Sequence, residues 1–77
     1  MANDESPVQD FHLEESEYIE LKNLLKVSGL LKSGGSAKSA IEEGVVLVDG
    51  IVETRKACKI RSGQKVTFKE QTIIVRK

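Results

Sequence analysis

At Gly44 the spacing of the apolar residues changes, and that change limits the fold more than any other feature of the chain. Before it, apolar residues recur at intervals of three and four: Leu21, Leu24 and Leu25, then Ala37, Ala40 and Ile41. A period of about 3.6 puts each trio on one face of a helix. After it the period is two, with Val46 and Val48 on one side of a strand and Val45 and Leu47 on the other. Asp49-Gly50 then supplies the two positions of a type I′ turn, which needs φ > 0 at both, and Ile51-Val52 returns as the partner strand.

The first helix runs from Leu21 to about Ser28, with Gly29 as its left-handed stop. The second starts at Ser33, whose hydroxyl can take a free N–H of the next turn, and stops at Gly44. Residues 65–69, with Val66 and Phe68 inward, and residues 72–75 form two closing strands around a turn near Glu70-Gln71. Phe11 and Leu13 alternate about His12 as a short edge strand. The order is strand, helix, helix, then a small, mostly antiparallel sheet, which is the α+β class.

The formal net charge of zero conceals two opposed segments. Residues 1–20 hold seven of the twelve acidic residues and no Lys or Arg, while residues 21–77 hold all twelve basic residues against five acidic ones. A basic body of this size is the footprint of a polyanion partner, although a solvated surface with an acidic tail gives the same count. Residues 1–10 are polar, acidic and carry the one proline, so they read as a disordered leader before a domain at 11–77.

A folding unit of roughly 60 residues buries only about 60% of its chain surface and leaves little room for a deep catalytic pocket. His12 is the one histidine and Cys58 the one cysteine, so no metal cluster, disulfide or catalytic constellation can be assembled, and no cofactor is expected. Lys56, Lys59 and Arg61 around Cys58 favour a thiolate, against the more common role of a small half-buried residue. No apolar run approaches ~18 residues, and the start lacks a signal-peptide pattern. The expectation is a cytoplasmic protein with no membrane partner.

Two short stretches gather candidate ligand contacts. Ser33-Gly34-Gly35-Ser36-Ala37-Lys38, preceded by Lys32, opens a helix with bare backbone N–H groups that an anion can approach. Its spacing is not that of a nucleotide-binding P-loop, which needs Lys beside Ser or Thr after the last glycine. Arg55-Lys56-Ala57-Cys58-Lys59-Ile60-Arg61 packs four cations into seven residues without an acid. Phe11, Tyr18 and Phe68 are the only aromatics, too few for a base-stacking platform, so this surface suits the phosphates of folded RNA better than single strands.

Two short helices, then Gly44-x-Val46-x-Val48-Asp49-Gly50, a basic connection and a Gly63-Gln64 turn resemble the S4 RNA-binding domain, and more closely its small stand-alone bacterial forms. The resemblance runs from about Tyr18 to Val75. It implies an αL motif, a helix–loop–helix plus hairpin that docks on structured RNA, with Lys32, Ser33 and Lys38 on the RNA face of the second helix. Arg55, Lys56 and Lys59 would lie on the adjoining loop, and Ala37, Ile41, Val46 and Val48 match core positions. Arg61 and the Gly34 and Gly35 amides complete the expected RNA contacts. The chain departs from the S4 pattern at Gly34, where arginine is common, and at Val45 and Leu47, which are apolar where polar residues are common. The expected function is non-enzymatic binding of ribosomal or transfer RNA by a monomer, with a ribosomal or other protein as a further partner. The rival is a protein-interaction adaptor that uses the Val45/Leu47 strip.

Overall fold

The computed structural model describes residues 8–77. The chain runs β1 (Val8–His12), β2 (Ile19–Glu20), α1 (Leu21–Val27), α2 (Gly34–Glu42), β3 (Val46–Val48), β4 (Ile51–Val52), β5 (Lys59–Ile60), β6 (Lys65–Phe68) and β7 (Gln71–Arg76). Five strands form one sheet in the order β1-β7-β6-β3-β4, and β2 and β5 form a separate antiparallel ribbon.

The helices close where their apolar stripes meet. Leu21, Leu24 and Leu25 of α1 and Ala37 and Ile41 of α2 are fully buried. Ser33 caps α2 by accepting the Ser36 N–H at 3.1 Å. At the other end Gly44 has φ +80°, and the Gly44 and Val45 N–H groups bond the carbonyls of Ile41 and Ala40. That left-handed residue turns the chain out of α2 and directly into β3.

Val46 and Val48 of β3 join Val66, Phe68, Ile73 and Val75 on the inner face of the sheet, against the helices. Asp49 and Gly50 have φ +53° and +84°, the paired positive values of the expected type I′ turn. Asp49 also secures the neighbouring strand, since its carboxylate accepts the Lys65 N–H at 2.9 Å. Every ladder of the main sheet is antiparallel except β1 with β7.

Several boundaries differ from the sequence reading. The edge strand starts at Val8, so residues 8–10 belong to the sheet and not to a disordered leader; residues 1–7 lie outside the described residues. Its parallel pairing with β7 supplies what its polar sequence lacks, and Asp10 is held by Arg76 at 3.0 Å. The β6–β7 turn sits one residue early, at Lys69-Glu70, with Lys69 at φ +57°. The segment read as a plain connection ends in β5, which pairs with β2 through Ile19↔Ile60 and Glu20↔Lys59.

Candidate nucleic-acid interface

Nothing in the side chain of Glu20 caps α1, so the first N–H groups of that helix need other acceptors. They find them in the basic loop: the Leu21 N–H donates to the Cys58 carbonyl at 2.8 Å and the Lys22 N–H to the Lys56 carbonyl at 3.0 Å. These two bonds stitch the loop to the start of α1 and bring Lys22 beside Lys56. The loop is pinned at its other end by the Glu53 N–H, which donates to Val46 at 3.0 Å.

Glu53 organises the loop in a way that charge counting misses. Its carboxylate accepts the Arg55 backbone N–H at 2.9 Å and takes the guanidinium at both oxygens, 2.9 Å from Nε and 3.1 Å from Nη2. Those side-chain and backbone bonds from Arg55 hold the Glu53 carboxyl down to about 2. A lowered carboxyl keeps its contribution above its ordinary pKa of 4.5 and loses it as pH falls toward about 2, so the clamp is intact at neutral pH. Arg55 is therefore tied to Glu53 rather than being the free cation expected. The same carboxylate corrects the thiolate expectation for Cys58: burial first, then Glu53, push that thiol up. Cys58 is the half-buried packing residue instead.

The expected contact residues fall into three groups. Lys32, Ser33, Gly34 and Gly35 sit at the start of α2. The Ser33 cap takes the Ser36 N–H, leaving the Gly34 and Gly35 N–H groups at the open end of the helix. Neither glycine is forced by packing: a Cβ at Gly34 would meet nothing within 4 Å, and one at Gly35 only Ser33 Oγ at 3.9 Å. The second group is at the far end of α2, which spans about 13 Å. Glu42 and residues 54–59 line one depression there, and Lys38, one turn before Glu42, lies on that same flank. Arg55, Lys56 and Lys59 belong to this group.

The third group was not legible as a unit. Lys59 of β5 and Arg61, which follows it, are exposed on either side of buried Ile60, and their cationic groups lie over the Tyr18 ring, 5.0 and 5.6 Å from its centre. Tyr18 is 38% exposed. Sequence reading counted it as one of too few aromatics, and the only clue was its place beside Ile19, the inward residue of β2. Lys22 carries no sequence signal of its own, since it stands alone among the leucines of α1 and only the loop hydrogen bonds bring it to Lys56. Among the described residues the ion pairs are Arg55–Glu53 and Arg76–Asp10, so Lys22, Lys38, Lys56, Lys59 and Arg61 make none there.

The apolar positions that depart from the S4 pattern are partly open. Val45 is exposed and Leu47 half-buried, and β4 adds exposed Ile51 and Val52 at the sheet edge. Among the described residues no group of His, Cys, Asp and Glu is placed to hold a metal, and no helix is long and apolar enough to cross a membrane.

The chain is 51% identical over 65 residues to the Escherichia coli K12 protein named "Putative RNA-binding protein YbcJ", covering 84% of this chain and 93% of the relative. The Shigella flexneri protein named "Uncharacterized protein YbcJ" matches to the same extent. The solution structure of YbcJ from E. coli, described as revealing an alphaL motif involved in RNA-binding, superposes with a TM-score of 0.74 at 45% identity, over 100% of this chain and 98% of that one. The αL arrangement of α1, α2 and the β3–β4 hairpin is therefore shared. With the S4 domain matching residues 11–76, which span the helix pair and nearly all of both sheets, the chain belongs to the S4 domain family.

Proposed function

We propose that this chain is a non-enzymatic module that binds structured RNA, with ribosomal and transfer RNA as the classes the S4 resemblance points to, in the cytoplasm. The observation that carries the reading is the stitched loop. It brings Lys22 beside Lys56, with Lys59 on the same loop and Lys38 one turn before Glu42 on the α2 flank that the loop faces, all four outside any ion pair among the described residues. Cations held on backbone hydrogen-bonded elements, without internal partners, suit the phosphates of an RNA whose shape is fixed. The relation to YbcJ supports the same polymer.

The test is binding to folded transfer RNA and to a ribosomal RNA fragment at about 50 and about 200 mM salt. Four or five phosphate contacts at a log–log slope of about −0.7 to −0.9 each predict a loss of about a hundredfold between the two. Absence of binding at the lower salt would overturn the reading. Salt-independent binding to a protein partner would instead favour the adaptor, for which exposed Val45, Ile51 and Val52 are the supporting observation.

The glycine pair separates a structural role from a functional one. Because a Cβ fits at both positions, a Gly34→Ala/Gly35→Ala variant should gain about 0.5–1 kcal/mol in a urea titration through helix propensity and a less flexible unfolded chain. Its RNA affinity should fall several-fold, as methyl groups screen the open N–H groups. Unchanged affinity would remove the α2 start from the interface.

A further inference from the structure

The geometry points to Tyr18, Lys59 and Arg61 as a site for one unpaired nucleotide: the Tyr18 ring stacks its base while Lys59 and Arg61 hold the flanking phosphate. This rests on the RNA reading above and adds a kind of contact that phosphate neutralisation does not provide. The antiparallel register of the ribbon sets the arrangement. Ile19 lies opposite Ile60 and packs with it on the core, so Tyr18 and Glu20, which flank Ile19, and Lys59 and Arg61, which flank Ile60, alternate to the outer side. Tyr18 directly precedes β2, so the ring is anchored through Ile19, which packs on the core.

Arg61 is held as well. Its N–H donates to Gln64 Oε1 at 2.7 Å, the Gln64 N–H returns to the Arg61 carbonyl at 3.2 Å, and Gln64 Nε2 reaches Asp49 at 3.4 Å. Two cations over an aromatic ring are half of a nucleotide site, and a base stacks on the part of the ring they leave open. The other half is a depression on Tyr18 lined by Ser16, Glu17, Ile19, Glu20 and Asn23, to which neither Lys59 nor Arg61 contributes. Its carboxylates repel a phosphate, so a continuous duplex backbone does not fit there. They accept hydrogen bonds from base N–H groups, and Asn23 can both donate and accept. Lys59 and Arg61 thus suit the phosphate and Glu17 and Asn23 the base edge, while Glu20 lies directly opposite Lys59 in the ribbon. Unpaired bases stacked on an aromatic and read at the edge are the general mode of sequence-sensitive RNA recognition.

Tyr18 is the one tyrosine of a chain without tryptophan, so intrinsic emission reports this ring alone. Wild-type protein would be titrated with an RNA hairpin carrying an unpaired loop and with a blunt, fully paired RNA of equal length, with free N-acetyltyrosinamide correcting for absorbance. The expected result is quenching by the hairpin and none by the duplex. Tyr18→Ser should weaken hairpin binding about tenfold, in the range for one base on an aromatic ring, and leave duplex binding unchanged, while Tyr18→Phe should bind the hairpin as wild type does. Salt-sensitive binding of both RNAs, with unaltered emission and a Tyr18→Ser variant that binds the hairpin normally, would overturn the site and leave RNA binding standing. Failure of both RNAs to bind would overturn both.

Discussion

A Lys38→Glu/Lys56→Glu variant should bind folded RNA about a hundredfold more weakly than wild type and show a salt slope shallower by about 1.5 to 2. Each reversal removes one phosphate contact and its released counterion, and adds a like charge against the backbone. The two lysines come from different elements, Lys38 from the α2 flank and Lys56 from the stitched loop, so their joint loss tests that both belong to one face. Both are exposed and outside any ion pair among the described residues, so thermal unfolding should shift little. Arg55 is the wrong partner for this test. Glutamate there would break the clamp with Glu53 and set two carboxylates against each other, mixing a folding defect with a binding defect. Lys26→Glu/Lys77→Glu, two lysines outside the expected contact residues, serves as the charge-matched comparison. Equal weakening by both pairs would mean that net charge alone, and no particular face, attracts RNA.

The elements legible in the sequence are those whose signal is local. The leucine trio of α1, the Ser33 cap, the stop at Gly44 and the Asp49-Gly50 turn each depend on residues within a few positions, and all stand where expected. The β1 and β5 strands do not have that property. The alternation of Phe11 and Leu13 marks only the end of β1; residues 8–10 carry no such pattern, and their order comes from β7, some sixty residues on. Lys59–Ile60 offers a single buried residue among cations, and its partner Ile19–Glu20 lies forty residues earlier. The same limit applies to the candidate interface. Composition located the basic stretch but could not distinguish Arg55, neutralised two positions away, from Lys56, which has no carboxylate partner among the described residues. Nor could it join Tyr18 to Arg61, because only the β2–β5 register makes them neighbours.

The contrast between two isoleucines tests that register energetically. Ile60→Ala should destabilise the protein by about 2–4 kcal/mol, whereas Ile51→Ala should cost no more than about 0.5. Both residues sit in two-residue strands and are alike in sequence setting. Ile60 is fully buried in the same cluster as the α1 leucines, while Ile51 is 71% exposed beside the hairpin turn. Truncating Ile60 leaves a cavity beneath the ribbon and loosens the strand that continues from Cys58, whose carbonyl holds the start of α1. Stabilities near 0.05–0.15 kcal/mol per residue give a chain of this size about 4–12 kcal/mol in total, so the Ile60 variant would lose a large fraction of it. A urea titration of both variants reads the difference directly as a shift in midpoint at constant slope. If the two cost the same, the ribbon is not packed on the core, and the fixed placement of Tyr18, Lys59 and Arg61 on one surface loses its physical basis.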